Sequence, residues 1–130
     1  MSEIPKILVV EDDPACRSLY RVALSNQDMN VYLVAESSAA LSLLKEGLQC
    51  SVIVADYELP DMNGLQLIDE ASKFSPVSTK IMVSARGKEE LELGPQNQWR
   101  ISNFLTKPIN VKEFLNVVAS GIAQYRRNIR

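Results

Sequence analysis

The sequence predicts a doubly wound α/β domain, a five-stranded parallel sheet flanked by helices on both faces. Short apolar runs alternate five times with longer segments of helical spacing, and such (βα)5 alternation is typical of a parallel sheet. The first and third runs, KILVV and SVIVA, consist almost entirely of Val, Ile and Leu. Such composition is expected for strands that are buried on both faces.

The five strands are predicted at the apolar runs themselves, which have the usual strand length. They span residues 6–10, 31–35, 51–55, 80–84 and 101–106. In a parallel sheet all carboxyl ends lie at one edge, where ligands of doubly wound folds bind. Residues that follow the strands are therefore the first candidates for a functional site.

The first helix is predicted to begin at Asp13-Pro14. Asp13 is a suitable N-cap, and Pro14 suits the first helical position, where its missing N–H has no cost. The apolar residues Leu19, Val22 and Ala23 fall on one face of this helix. Asp13 is therefore interpreted as a helix cap rather than as a metal ligand.

The next helices have recognisable ends. Ser37 or Ser38 is the predicted cap of the second helix, and Gly47 is its stop. Asp61 with Asn63-Gly64 is interpreted as turn chemistry and as the start of the third helix. The last helix is predicted to open at Asn110 and to present Phe114, Leu115, Val118 and Ile122 at helical intervals.

The segment before the last strand is the weakest part of the pattern. KEELEL (88–93) supports about two helical turns, and Gly94-Pro95 then interrupts them. We expect a single domain over residues 1–130, with a core fold at about 5–125. Residues 126–130 form a basic tail or the start of a linker.

Composition excludes several functions. The chain has 130 residues, a net charge of −2 and no histidine, which excludes His-based catalysis, His-ligated metals and a histidine phosphocarrier. No apolar run is long enough to span a bilayer, so we expect a cytoplasmic protein that binds neither membrane nor nucleic acid directly. Cys16 and Cys50 are expected to be reduced structural residues.

Five polar residues lie at or directly after the ends of the predicted strands and are expected to converge. Carboxylates that crowd together repel one another unless a cation joins them, and hard oxygen ligands favour Mg²⁺. With a lysine and a hydroxyl nearby, such a set has the parts needed to move a phosphoryl group. The residues are Glu11, Asp12, Asp56, Ser84 and Lys107.

Four stretches, each at the end of a predicted strand, resemble the receiver domains of two-component response regulators. They are ILVVEDDP, VIVADYELPDMNGLQLI, IMVSA and FLTKPI, in the family's order. The resemblance covers essentially the whole chain and implies a flavodoxin-like fold. Carried over by position, it implies that Asp56 is the phosphoacceptor and that Glu11 and Asp12 hold Mg²⁺. Asp12 would be a direct ligand, Glu11 would act through a water molecule, and Glu58 would contribute its backbone carbonyl.

The resemblance also assigns the residues around the phosphoryl group. Ser84 matches the hydroxyl that binds the attached group, and Lys107 the lysine that pairs with it. Phe104 occupies the aromatic switch position, and the Lys107-Pro108 bond is implied to be cis. Glu58 and Arg86 lie at the flanking positions, where an opposite-charge pair predicts slow self-dephosphorylation.

The function implied is a phosphorylation-dependent switch rather than an enzyme. A histidine kinase or histidine phosphotransfer protein supplies the phosphoryl group, and the face of the fourth helix, fifth strand and fifth helix changes for a downstream partner. Two alternatives stay open: a phosphatase of the haloacid dehalogenase type, and a receiver-like scaffold that is not phosphorylated. Also open are whether the chain stands alone or belongs with an effector domain, and whether Trp99, beside Arg100, contacts a partner.

Overall fold

A computed structural model describes residues 4–91, 93 and 101–129 of the protein. Its strands are β1 (Lys6–Val10), β2 (Asn30–Val34), β3 (Val52–Asp56), β4 (Thr79–Ser84) and β5 (Asn103–Thr106). All are parallel and form one sheet in the order β2-β1-β3-β4-β5. The predicted fold class is confirmed, and the carboxyl ends of β1 and β3 lie side by side at the sheet centre.

Helices cover both faces of this sheet. They are α1 (Pro14–Leu24), α2 (Ser37–Lys45), α3 (Gly64–Ser72) and α4 (Val111–Asn128). Ile7 and Val9 of β1 pack towards α1 and α4, whereas Leu8 and Val10 pack towards α2 and α3. All four are at most 1% exposed, which confirms that the central strands are buried on both faces. Among the described residues, no helix is long and apolar enough to cross a membrane.

The predicted fourth helix differs from the expectation. In place of two helical turns, the described residues form a turn, with Leu91 N donating to Gly87 O at 3.2 Å and Leu93 N to Lys88 O at 3.1 Å. The helix expected as the fifth is therefore α4 here. Trp99 and Arg100 lie outside the described residues.

The helix ends follow the sequence signals in most cases. The Asp13 carboxylate accepts from Ala15 N at 2.9 Å, and the Asn110 side chain accepts from Glu113 N at 2.9 Å. Gly47 follows the end of α2 with a φ of 105°, a conformation that favours glycine. The implied cis bond before Pro108 is also present.

The apolar face of α1 that the sequence indicates is not the face that is buried. Leu19 and Val22 are 39% and 70% exposed, whereas Tyr20 and Leu24 are buried. The ring of Tyr20 packs against Phe114 of α4, with centroids 5.2 Å apart. Periodicity locates an apolar face, but the larger buried area of the tyrosine ring decides which face turns inward.

The N-terminus of α2 is capped from a distant loop and not by its own serines. Both carboxylate oxygens of Asp61 accept hydrogen bonds, from Ser37 N at 3.1 Å and from Ser38 N at 2.9 Å. The start of α3 is instead capped by Asn63. Asp61 therefore joins the loop after β3 to the start of α2, which corrects its assignment to the start of α3.

Asp61→Ala is expected to lower the free energy of unfolding by about 1–2 kcal/mol at pH 6, because two helix N–H groups lose their acceptor. Burial opposes ionisation of Asp61, but those N–H groups outweigh it and hold its pKa below the ordinary 3.8. This stabilisation is complete above the unfolded pKa of about 3.9 and is lost as pH falls through the lower folded pKa.

Urea denaturation at pH 6 and pH 3 checks this prediction. The difference between wild type and Asp61→Ala should be full at the higher pH and reduced at the lower one. Glu36→Ala is the matched control, since Glu36 lies at the same helix end without a side-chain capping bond. Equal losses in the two variants would contradict the capping role.

Candidate functional site

Three carboxylates meet at the carboxyl edge of β1 and β3. Glu11, Asp12 and Asp56 each offer an oxygen, and these oxygens lie within 4.8 Å of one another. Glu11 is 0% exposed and Asp56 5%, whereas Asp12 is exposed. We call these three residues the acidic cluster. The convergence expected from a parallel sheet is therefore present, with two acids buried and one open to solvent.

Lys107 extends from the loop after β5 into the acidic cluster. Its Nζ lies 2.7 Å from Glu11 Oε1 and 3.2 Å from Asp56 Oδ2. Because the shorter of the two contacts is to Glu11, the Lys107 ammonium is shared between the carboxylates of Glu11 and Asp56. Lys107 thus contacts two of the three carboxylates of the acidic cluster.

Burial and the closeness of these charges shift the pKa values of Glu11 and Lys107. Burial raises the pKa of Glu11, and the neighbouring Asp56 raises it further against the opposing hydrogen bond from Lys107. Burial would lower the pKa of Lys107, but its contacts with Glu11 and Asp56 outweigh burial and raise it. The lysine therefore stays charged, and the cluster favours an additional cation.

The donor set of the acidic cluster fits Mg²⁺. Carboxylate oxygens are the ligands this ion takes in proteins, usually one or two of them together with water. Asp56 Oδ1 is also 3.3 Å from Glu58 N, which donates to it. This hydrogen bond holds the start of the following loop, including the peptide of Glu58, close to the acidic cluster.

Ser84 ends β4, one residue after Val83, which pairs with Asp56 of β3, and Ser84 is 0% exposed. Its hydroxyl accepts a hydrogen bond from Arg86 N at 3.0 Å. Its carbonyl accepts one from Lys107 N at 2.8 Å. The main chain thus connects the hydroxyl and the lysine, which lie far apart in sequence.

Glu58 and Arg86, which follow Asp56 and Ser84 by two residues, form an ion pair. Arg86 Nε lies 2.7 Å from Glu58 Oε1. The guanidinium also lies over the ring of Tyr57, 5.8 Å from its centroid. Both charged side chains are about half exposed. We call Glu58 and Arg86 the rim pair.

Phe104 lies on β5 opposite Met82 and is half-buried on the side of the sheet that α2 and α3 cover. The Nζ of Lys88 lies 5.9 Å from its ring centroid. The ring is thus close to Lys88, which lies in the turn at residues 88–91.

The two cysteines, Cys16 and Cys50, are both free thiols, as expected.

Sequence reasoning missed Arg17. Its Nη1 donates to the carbonyl oxygens of Glu11 and Asp12, at 2.8 Å in each case. One signal was available: a basic residue near the start of a helix opposes the helix dipole. Hydrogen-bond acceptors outside the helix can compensate for this unfavourable position, and Arg17 has two of them.

Comparisons with known proteins agree with this geometry. A family model described as the response regulator receiver domain matches residues 7–119. A protein of Leptolyngbya boryana, named an uncharacterized 14.6 kDa protein, is 32% identical over 114 residues, 86% of each chain. Regulatory protein VanRc of Enterococcus gallinarum is 31% identical, and the match covers 98% of this chain but only 53% of VanRc. The chain thus spans about half of that relative.

Among solved structures, a signal receiver domain of an HD domain-containing protein from Pseudomonas fluorescens Pf-5 has the same fold. Its TM-score is 0.89 at 21% identity, and the match covers 100% of this chain and 96% of that one.

Proposed function

The chain belongs to the family of response regulator receiver domains, which are phosphorylation-dependent switches, and from this premise we propose that Asp56 accepts the phosphoryl group. One observation carries the assignment. The Asp56 carboxylate ends a buried strand within reach of Lys107 and of two further carboxylates. Among the acids of the cluster it is the one that both contacts Lys107 and pairs, on the neighbouring strand, with Val83, the residue before Ser84.

The proposed reaction transfers a phosphoryl group from phosphohistidine to carboxylate. An Asp56 oxygen attacks phosphorus, the P–N bond breaks, and the imidazole of the donor leaves with a proton from solvent. Glu11, Asp12, Asp56 and the Glu58 carbonyl would hold Mg²⁺, which when bound would supply positive charge to neutralise the phosphoryl oxygens. Lys107 remains protonated and donates to those oxygens.

The proposed response begins at Ser84 and Lys107. Once attached, the phosphoryl group offers strong acceptors that draw the Ser84 hydroxyl away from Arg86 N. Phe104 then turns inward, and the surface formed by the turn at residues 88–91, β5 and α4 changes. Phosphorylation shifts this two-state equilibrium only by its differential contacts in the two states.

We place the phosphohistidine donor on an exposed apolar stripe of α1. Ala15, Leu19 and Val22 are exposed at helical spacing. Leu19 also lines an apolar cavity of about 430 Å³ together with Lys107 and Pro108. The stripe thus adjoins the acidic cluster, and a helix of a histidine kinase or histidine phosphotransfer protein fits there with its phosphohistidine near Asp56.

The other proposed properties follow from family membership. The output is a downstream protein partner, or an effector domain outside this chain, rather than nucleic acid or membrane. We propose that the domain is a cytoplasmic signalling component and not an enzyme with a released product. The family match favours neither a haloacid dehalogenase-type phosphatase nor a scaffold that is never phosphorylated.

Incubation with acetyl phosphate and Mg²⁺, followed by intact mass measurement, tests the proposed function. A switch gains one stable phosphoryl group, and a phosphatase releases phosphate from small esters over many turnovers. A scaffold shows neither change. Loss of phosphoryl from a phosphorylated histidine phosphotransfer protein to this chain then tests the natural class of donor.

The rim pair predicts slow self-dephosphorylation, because these positions flank the phosphoryl group in the family and two paired side chains there would hinder an attacking water. We expect a phosphoryl half-life of minutes or longer in a Mg²⁺ chase. Glu58→Ala, Arg86→Ala and the double variant should all hydrolyse faster, with the double variant close to either single one. Lys73→Ala, which removes a remote exposed pair with Glu70, should leave the half-life unchanged. A half-life of seconds in wild type would contradict the prediction.

A further inference from the structure

Arg17 is joined to the acidic cluster through the main chain. Its Nη1 is shared between the carbonyl oxygens of Glu11 and Asp12, the two consecutive residues that follow β1. Both contacts are 2.8 Å, which is short for N–H···O bonds and typical of a charged donor. The guanidinium thus fixes two successive peptide units and leaves carboxylate oxygens available to a cation.

The direction of each acidic side chain depends on these peptide units. Glu11 has further anchors, because its carboxylate accepts from Lys107 and, at 3.3 Å, from Asp13 N. Asp12 has an exposed side chain, so the orientation of its peptide decides whether its carboxylate faces Asp56. Arg17 therefore matters most for Asp12, the acid that is freest to turn away.

The turn after β1 has an electrostatic reason to open when no cation is bound. Three carboxylates whose oxygens lie within 4.8 Å of one another repel, and rotation of Asp12 into solvent relieves that repulsion. A positive side chain near the start of α1 also opposes the helix dipole. The two charge-assisted hydrogen bonds of Arg17 offset that cost and oppose the opening of the turn.

We propose that Arg17 is a positioning residue for the metal site, which holds the peptides of Glu11 and Asp12 in the arrangement that Mg²⁺ requires. This inference rests on the proposed function, since it assumes that the acidic cluster binds Mg²⁺. Arg17 acts through the main chain and does not contact the phosphoryl group. Its contribution is preorganisation, so that ion binding need not first reassemble the turn.

The proposal and a purely electrostatic effect predict opposite changes in cation affinity when Arg17 is replaced by an uncharged residue. Removal of a positive charge near an acidic site strengthens cation binding if charge alone matters. Loss of preorganisation weakens it instead. Mg²⁺ demands nearly ideal octahedral geometry, whereas Ca²⁺ accepts irregular coordination. A positioning residue should therefore matter more for Mg²⁺ than for Ca²⁺.

Calorimetric titration of the purified chain with Mg²⁺ and with Ca²⁺ tests the proposal. Arg17→Met is expected to weaken Mg²⁺ binding by about tenfold or more, the range seen for outer-shell residues of metal sites. Its Ca²⁺ affinity should fall by a clearly smaller factor. The matched control is Arg21→Met, which removes the same charge from an exposed position one turn further along α1. Its affinities should stay at the wild-type level or rise slightly.

Each outcome is decisive. Mg²⁺ binding by Arg17→Met that is as tight as in wild type, or tighter, overturns the proposal, and so does an equal loss for both ions. If Arg17→Met does not fold, Arg17→Lys decides in its place, because an ammonium lacks the planar guanidinium fork. Weakened Mg²⁺ binding then supports the proposal, and unchanged binding overturns it. Absence of Mg²⁺ binding in wild type overturns the metal site itself.

Discussion

Asp56→Asn is expected to abolish phosphorylation by acetyl phosphate and, without Mg²⁺, to make the protein more stable. The amide oxygen is too weak a nucleophile to form an acyl phosphate, so the mass gain should disappear. The stability gain has a separate cause. Asp56 is 5% exposed and lies beside a fully buried Glu11 whose pKa is raised by burial and then by Asp56.

The size of this stability gain depends on Lys107. Lys107 compensates only part of the repulsion, because its shorter contact is to Glu11 and its contact with Asp56 is 3.2 Å. Asp56→Asn removes one of the two buried charges and leaves the other paired. We expect the free energy of unfolding to rise by about 1–2 kcal/mol, a usual size for relief of strain at a functional site.

Urea denaturation with and without Mg²⁺ measures this second effect. Wild type should gain stability on addition of the ion, since binding to the native state stabilises it. Asp56→Asn should gain less, because it has lost one ligand. Asp28→Asn, an exposed position in the loop before β2, is the matched control and should change neither quantity. An Asp56→Asn protein that is less stable than wild type without Mg²⁺ would contradict the repulsion argument.

The sheet and the acidic cluster were predictable for the same physical reason. Central strands buried on both faces must be apolar throughout, so KILVV and VIVA stand out in the sequence. Parallel topology then places their carboxyl ends together. Glu11 and Asp56 follow directly from these two facts, although 44 positions separate them (56 − 11 − 1). Lys107 follows from the same rule applied to β5.

Contacts that depend on loop paths were not predictable. The bonds from Asp61 to Ser37 and Ser38 join segments that are 23 or 24 residues apart, and no local spacing rule connects them. The local signal, a serine before an apolar run, pointed to the wrong cap. The contacts of Arg17 could not be predicted either. Every residue has a main-chain carbonyl, and the sequence does not indicate which of them accepts a hydrogen bond from Arg17. Periodicity also left the buried face of α1 undecided until Tyr20 was seen to pack on Phe114.

Gly64→Ala is expected to have the second large effect, because α3 begins in close contact with the end of β3, the strand that ends in Asp56. A Cβ at Gly64 would lie 2.6 Å from Asp56 O, 2.8 Å from Met82 Sδ and 2.9 Å from Tyr57 Cα. Two of these atoms belong to the main chain and have little freedom to move. Gly64 N also donates to Tyr57 O at 2.8 Å, which fixes the glycine in place. Either the start of α3 or the peptide of Asp56 must shift.

We expect that shift to lower both the free energy of unfolding and the rate of phosphorylation. Overpacking of this kind lowers the free energy of unfolding by about 1–3 kcal/mol. A displacement of the reacting carboxylate of about 1 Å can slow a positioned reaction by about a hundredfold, so phosphorylation of the folded variant should also be strongly slowed. Without the clash, alanine should be neutral or stabilising, since it favours helix more than glycine by about 1 kcal/mol. The sign of the change is therefore diagnostic.

Gly87→Ala is the matched control for Gly64→Ala. A Cβ there meets only a Glu89 carboxylate oxygen at 3.5 Å, an ordinary contact with a flexible side chain. Urea denaturation and the rate of mass gain with acetyl phosphate, measured on both variants, separate steric conflict from a general effect of glycine replacement. If Gly64→Ala matches Gly87→Ala in both measurements, α3 can move away from β3 without disturbing Asp56. The close packing of Gly64 against the strand would then have no part in holding Asp56, the proposed phosphoacceptor.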